Sequence, residues 1–179
     1  MNKQNKIVVG ISIGDLNGIG SEVVLKTLQD PRILDFFTPV IFASLETMNF
    51  FKDHYHLECN LFGIDKLESI NHKKINVFNI WKESVTINFG LENSTIGSYA
   101  IKSLSASVAA LKSNKIDVLV TAPINKSNIQ SEDFNYPGHT DFLNRELEGE
   151  SLMLMIKDSL RVGLLTDHVA VKDISKRIT

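Results

Sequence analysis

The spacing of hydrophobic positions changes several times along the chain, and each change predicts an element. Residues 6–12 form a short apolar run rich in β-branched side chains, which reads as a strand. Glycines at 14, 18 and 20 follow, and Val23, Val24 and Leu25 then sit in a helix-like segment, so the stretch reads strand, tight loop, helix. This helix is expected from about Ser21 to Gln29, with Ser21 as its cap and Pro31 ending it. PVIFAS, residues 39–44, reads as a buried strand, and LETMNFFKD after it has a mostly helical spacing. Between His54 and Glu92 the pattern weakens, although NLFGI and KINVFNI look like short strands. The strongest helix is STIGSYAIKSLSASVAALKSN, where Ile96, Ala100, Leu104, Val108 and Leu111 recur every three or four residues.

IDVLVT, residues 116–121, is almost wholly apolar, as expected for a strand covered on both faces in a parallel sheet. In NYPGHTDFLNRELEGE, Pro137-Gly138 makes a turn, and Thr140 is expected to cap a helix from Asp141 to about Leu147. Two apolar runs within residues 151–166 predict a hairpin, and VKDISKRIT begins a further helix. The alternation of strands and helices defines an α/β fold, a three-layer α/β/α arrangement on a mainly parallel sheet with right-handed crossovers. Ligands of such sheets gather at the carboxyl ends of the strands, so the loops after Ile13 and Thr121 are expected to border one crevice.

Composition narrows the partners. A chain of 179 residues suits one domain, alone or with an extension. A net charge of −2 and a pI near 6.2 give no reason to expect nucleic acid or an anionic membrane. The single cysteine, Cys59, excludes an internal disulfide framework. No apolar run is long enough to span a membrane, and the first residues lack the features of a signal peptide, so a cytoplasmic location is expected.

Candidate chemistry rests on few residues. The first loop has the spacing G-x-x-x-G-x-G, which is neither a dinucleotide fingerprint nor a phosphate loop. It either receives an anion at the helix N-terminus or simply shapes a turn, and the nearby Asp15 and Glu22 weaken the anion reading. His54, His56 and Cys59 have donor atoms a zinc ion could use, but no fourth ligand lies nearby, and a surface role is the simpler reading. His139 stands at a helix mouth, where the dipole favours a neutral imidazole able to meet a hydroxyl or carboxylate; a plain turn histidine is the alternative. His168, at the end of an apolar run, is a possible transition-metal ligand, with Asp167 as a supporting partner or second ligand. Lys126 follows a strand end and could neutralise a phosphate.

Four motifs then occur in order: GDLNGIGSEVVLK, VTAPINKSNI, YPGHTDFL and LRVGLLTDHVAVKDI. Together they resemble the 4-hydroxythreonine-4-phosphate dehydrogenase (PdxA) family of vitamin B6, or pyridoxine, biosynthesis. The resemblance covers nearly all of the chain, with little from residues 45–92, and corresponds to the N-terminal half of the family; the C-terminal half has no counterpart in residues 1–179. It implies an overall shape similar to isocitrate and isopropylmalate dehydrogenases. It also implies an oxidoreductase that uses NAD or NADP to oxidise 4-phosphooxy-L-threonine to a 3-oxo acid, which decarboxylates to 3-amino-2-oxopropyl phosphate. A divalent metal (Zn, Mg or Co) would assist. By the same resemblance His139 and Thr140 are substrate contacts, His168 is a metal ligand, and the protein is a homodimer whose active site is completed at the interface. Catalytic and cofactor-binding residues are not assigned by it.

The first loop departs from the family's usual GEPAGIGPE at Asp15, Leu16, Asn17 and Ser21, and Asp167 stands where a threonine is common. Because the second half supplies further metal ligands and much of the cofactor site, this chain alone is expected to be inactive. Two alternatives are a dehydrogenase of another four-carbon phosphorylated hydroxy acid and a catalytically incomplete α/β binding fragment.

Overall fold

The computed structural model describes residues 6–131, 134–166 and 169–178. The first strands and helices are β1 (Ile7–Ser12), α1 (Gly20–Leu28), the single turn α2 (Ile33–Phe36), β2 (Phe37–Ala43) and α3 (Leu45–His54). β3 (Leu61–Ile64), β4 (Ile75–Asn79), α4 (Ser94–Lys112) and β5 (Val118–Thr121) complete the main layer. α5 (His139–Glu146) and the strands β6 (Leu154–Lys157) and β7 (Leu160–Gly163) follow.

Five strands form one parallel sheet in the order β3-β4-β2-β1-β5. Alternation along each strand divides its side chains between two faces. Ile11, Ile41, Ala43 and Val77 join Leu25 of α1 and Met48 and Phe51 of α3 in one buried cluster. Val40 and Phe42 point the other way, into a cluster with Ala110 of α4 and Ile116. Helices on both faces of a parallel sheet make the three layers expected from the sequence.

One side chain ties the central layer to α4. Ser103, fully buried, accepts a hydrogen bond from the Ile13 N–H at 2.9 Å and donates to the Phe42 carbonyl at 2.6 Å. Ile13 follows the last residue of β1, and Phe42 is the penultimate residue of β2. The serine hydroxyl meets a need that an alanine would leave open.

Several boundaries differ from the sequence reading. α1 begins at Gly20, and Ile19 occupies the cap position with helical dihedrals (φ −79°, ψ −11°) and no side-chain cap. The tight Asp15–Gly18 turn, closed by Gly18 N–H to Asp15 O at 3.1 Å, delivers the chain already in helical conformation. Ser21 is therefore inside the helix, buried, with its hydroxyl unpaired among the described residues. α5 starts at His139 with Gly138 in the cap position, so Thr140 lies in the first turn and caps nothing. True side-chain caps occur at Ser44, which accepts from Thr47 N–H, and at Asn93, which accepts from Thr95 and Ile96 N–H.

β5 starts at Val118, and Asp117 just before it exchanges two bonds with Val8: its carboxylate accepts from Val8 N–H at 2.7 Å and its own N–H donates to Val8 O at 2.8 Å. The expected cover on both faces is absent among the described residues, since Val118 and Val120 are 46% and 50% exposed. β5 is an edge strand, packed on one face only by α4. The predicted hairpin is present as β6 and β7, joined by a two-residue turn with Asp158 at φ 51°. The last segment forms a 3-10 helix, Val171–Lys176, in place of the expected α-helix. With Val171 exposed, it lacks the packing that offsets the cost of nucleating an α-helix.

Replacing Ser103 by Ala should destabilise the fold by about 1–3 kcal/mol, because it strands one buried donor and one buried acceptor. Urea denaturation of the two proteins measures this, and an unchanged midpoint would contradict the bridging role.

Candidate functional site

At the carboxyl ends of the strands, the loops after β1 and β5 are held together by backbone. Asp15 N–H donates to Pro123 O at 2.9 Å, and Ala122 N–H donates to Ser12 O at 2.9 Å. Gly14 has φ +69°, and a Cβ there would stand 2.1 Å from Pro123 O, so the position demands glycine twice over. A Cβ on Gly20 would lie 2.9 Å from Ile13 O. These glycines serve backbone packing. The Asp15 carboxylate also occupies the turn, accepting from Asn17 N–H at 3.1 Å, which places negative charge where an anion would enter. The pyrophosphate of a dinucleotide does not fit this loop as it stands.

Asn17, one of the family departures, has a structural task. Its side chain donates to Leu91 O at 2.8 Å and accepts from Asn88 N–H at 2.9 Å, while its own carbonyl accepts from Gly90 N–H at 2.9 Å. These three bonds pin the segment 88–91 over the first loop. Leu16 beside it is fully buried in the core. Asn93, just beyond the pinned segment, donates its N–H to the Asn128 side chain at 3.0 Å and so links the strap to the loop after β5. Gly97 lets α4 approach that loop, because a Cβ there would stand 1.9 Å from Asn128 O.

The second loop carries Lys126 at its tip. Asn125 shapes it, accepting from Ser127 N–H at 2.9 Å and Asn128 N–H at 3.1 Å. A Cβ on Gly138 would lie 3.8 Å from Lys126 Cε, which brings the lysine to the start of α5, beside His139. There His139 is half-buried, and its Nε2 is buried with no hydrogen-bond partner among the described residues. Burial first, and the Lys126 charge second, lower its pKa below the ordinary imidazole value. The neutral imidazole is thus favoured near pH 7. Thr140 is exposed one residue on.

α5 is fixed by an aromatic trio that the sequence reading did not single out. Phe134, Tyr136 and Phe142 have ring centroids 5.1–5.3 Å apart and pack with Ala100, Leu104 and Val108 of α4. The signal available was the aromatic spacing in FNYPGHTDF, which brackets the histidine.

The other candidates lie elsewhere. His54 stacks on Phe89 at 4.6 Å, Cys59 is buried with Sγ 3.4 Å from Leu25 O, and His72 bonds Thr38 through Nδ1 at 3.0 Å. Among the described residues no group of three or more His, Cys, Asp or Glu could hold a metal ion. His168 and Asp167 lie outside the described residues.

The class is that of three-layer α/β proteins, with Lys126 brought near the half-buried His139 in the segment that follows β5. The family follows from comparison: residues 35–179 match the model for "Pyridoxal phosphate biosynthetic protein PdxA", and the chain belongs to that family. A Bacteroides thetaiotaomicron relative named 4-hydroxythreonine-4-phosphate dehydrogenase is 35% identical over 179 residues, 99% of this chain and 49% of that protein. A Clostridium botulinum relative bearing the name "Putative D-threonate 4-phosphate dehydrogenase" is 26% identical, over 98% of this chain and 54% of its own length. A crystal structure of 4-hydroxythreonine-4-phosphate dehydrogenase from Burkholderia phymatum has the same fold, with a TM-score of 0.87 at 24% identity, over 97% of this chain and 53% of that one. The chain spans about half the length of the curated relatives it matches.

Two outcomes test this geometry. Asn17→Ala should cost about 1–3 kcal/mol and speed amide exchange at residues 88–91, since buried groups lose their partners; unchanged exchange would sever the strap from Asn17. For His139, the unfolded chain binds more protons between the ordinary value of 6.5 and the lower native value. Stability should therefore fall as pH drops through that window, and His139→Gln should remove the slope in pH-dependent melting.

Proposed function

We propose that these 179 residues are the substrate-binding half of an NAD(P)-dependent 4-hydroxythreonine-4-phosphate dehydrogenase acting in pyridoxal phosphate biosynthesis. The observation carrying the reading is the placement of His139 near Lys126, with Thr140 next to it in α5, in a chain that belongs to the PdxA family. In the reaction, the 3-hydroxyl of 4-phosphooxy-L-threonine is oxidised and the resulting 3-oxo acid loses carbon dioxide to give 3-amino-2-oxopropyl phosphate. A bound nicotinamide, NAD or NADP, supplies the hydride acceptor.

The residues of this chain bind and orient. Lys126, on an exposed loop tip, attracts the negative charge of a phosphorylated carboxylic acid. His139, neutral because burial and Lys126 disfavour its cation, offers its imidazole to a substrate hydroxyl or oxygen. Thr140 adds a hydroxyl in the same helical turn. The first loop does not accommodate a pyrophosphate, so the cofactor is assigned to the family's other half. His168 is assigned as one ligand of a divalent metal, and one histidine needs ligands from beyond this chain's described residues. The working protein is then a cytoplasmic homodimer with its active site closed at the interface.

A second reading, oxidation of D-threonate 4-phosphate, is supported by the name of the Clostridium botulinum relative. Both substrates are four-carbon phosphorylated hydroxy acids, and they differ at the position next to the carboxylate. An amine in one stands where the other has a hydroxyl.

NAD(P) reduction with each substrate and added divalent metal decides between them. It should be run on the 179-residue chain alone and on the same chain fused to the second half of the Bacteroides thetaiotaomicron relative. Expected are no turnover by the chain alone and faster turnover of 4-phosphooxy-L-threonine by the fusion. His139→Ala in the fusion should lower kcat/KM by about 100-fold, a loss of roughly 3 kcal/mol of binding to the reacting complex. Turnover by the chain alone, or preference for D-threonate 4-phosphate, would refute the primary reading.

A further inference from the structure

At the amino ends of the strands, the opposite end of the sheet from the loops after β1 and β5, lies a cavity of about 430 Å3. It sits between the end of α1, the turn α2 and the segments that lead into β3 and β4. Its volume falls within the range of pockets that hold small molecules, ~300–1,000 Å3. Leu28, Cys59 and Ile75 make a buried floor continuous with the core, and half-buried Leu34 of α2 extends it. The Cys59 thiol donates to the Leu25 carbonyl at 3.4 Å, so this side chain behaves as part of the apolar surface.

The rim is polar and carries a positive balance. Lys73 and Lys74 stand there with the one carboxylate of Glu58, and the amides of Gln29 and Asn60 lie beside them. A rigid turn delivers the two lysines. Asn76, fully buried, shares its amide hydrogens among the carbonyls of Asn71, Lys74 and Pro39 (3.0, 3.0 and 3.1 Å), and its Oδ1 accepts from Asn71 N–H at 2.8 Å. Asn71 in turn accepts from Lys73 N–H through its side chain at 3.0 Å and from Lys74 N–H through its carbonyl at 3.1 Å. The Lys74 ammonium is held 4.5 Å from the centroid of the Phe62 ring. Lys6 adds a third cation nearby, bonded to the carbonyls of Leu34 and His72. Cations fixed in this way lose little freedom on meeting an anion.

An apolar floor beneath a positive rim selects a molecule with the same two-part character. We propose that this cavity binds a small organic anion, its apolar body against Leu28, Leu34 and Ile75 and its carboxylate or phosphate head toward Lys73 and Lys74. Burial of the apolar body supplies affinity, and the charged head supplies orientation and selects against neutral and cationic analogues. Glu58 at the same rim disfavours a second acidic group on the ligand. The site rests on this cavity alone, so it stands or falls apart from the proposed dehydrogenase reaction.

The test is titration of the 179-residue chain with phenyl phosphate and, separately, benzoate, followed by amide chemical shifts. Inorganic phosphate is the control for the head alone and phenol for the body alone. Saturable shifts at residues 28–34, 58–60 and 73–75 are expected with at least one of the two aromatic anions, at a Kd of about 1 mM or tighter. Inorganic phosphate and phenol should each bind about tenfold more weakly or worse, and added salt should weaken the aromatic anion. Lys73 is exposed, so Lys73→Glu should leave melting unchanged while weakening the anion about tenfold or more. Glu58→Gln, which removes the negative charge at the rim, should tighten it. No saturable shift at these residues, phenol or inorganic phosphate binding as tightly as the aromatic anions, or an affinity indifferent to both substitutions would each overturn the proposal.

Discussion

The contact between Gly14 and the carbonyl of Pro123 governs the upper end of this molecule. Two strands that are neighbours in space but more than a hundred residues apart in sequence end side by side, and their loops touch backbone to backbone. No side chain at position 14 is compatible with that approach, given the positive φ and the 2.1 Å separation a Cβ would have. Everything above the sheet is built on this junction. The turn through Asp15 enters α1 from it on one side, and the loop bearing Lys126 leaves it on the other.

A second tie runs across the same region through asparagines. Asn17 holds the segment 88–91, Asn93 caps α4 and reaches Asn128, and Asn125 turns the loop that ends at Asn128. An amide side chain offers a donor and an acceptor without charge, which suits loops whose backbone groups point in mixed directions. Positioning of Lys126 against His139 therefore depends on residues that touch no ligand themselves. The low proton affinity of His139 follows from the same arrangement, since α5 is pressed onto α4 by its aromatic trio and brings the imidazole out of water.

Much of the fold could be read from the chain because period and composition agreed. The helix of Ile96 to Leu111 and the strands of residues 39–44 and 116–121 stand out for that reason, and the three-layer arrangement followed from their order. Neither Ser21 nor Thr140 caps its helix, because α1 starts from a tight turn closed by backbone and α5 starts one residue earlier, at His139, without a side-chain cap. β5 was read as buried on both faces because its apolar sequence describes what a strand needs, and a sequence does not say who provides it. The adjacency of the loops after Ile13 and Thr121 was legible, whereas the glycines there serve close backbone packing in place of an open cradle. His139 could be found by its place at a helix mouth. The burial of its Nε2, like the meeting of Phe134, Tyr136 and Phe142, is a tertiary fact.

The hairpin of β6 and β7 stands apart from these layers, with every residue of both strands exposed and Leu154, Met155, Ile156, Leu160 and Val162 among them. A lone two-stranded ribbon has little to hold its register, and this one is apolar on both sides. Its cost falls on handling: the hairpin is a ready point for clumping between molecules, so the chain's solubility should depend on concentration and salt more steeply than its net charge of −2 alone would set.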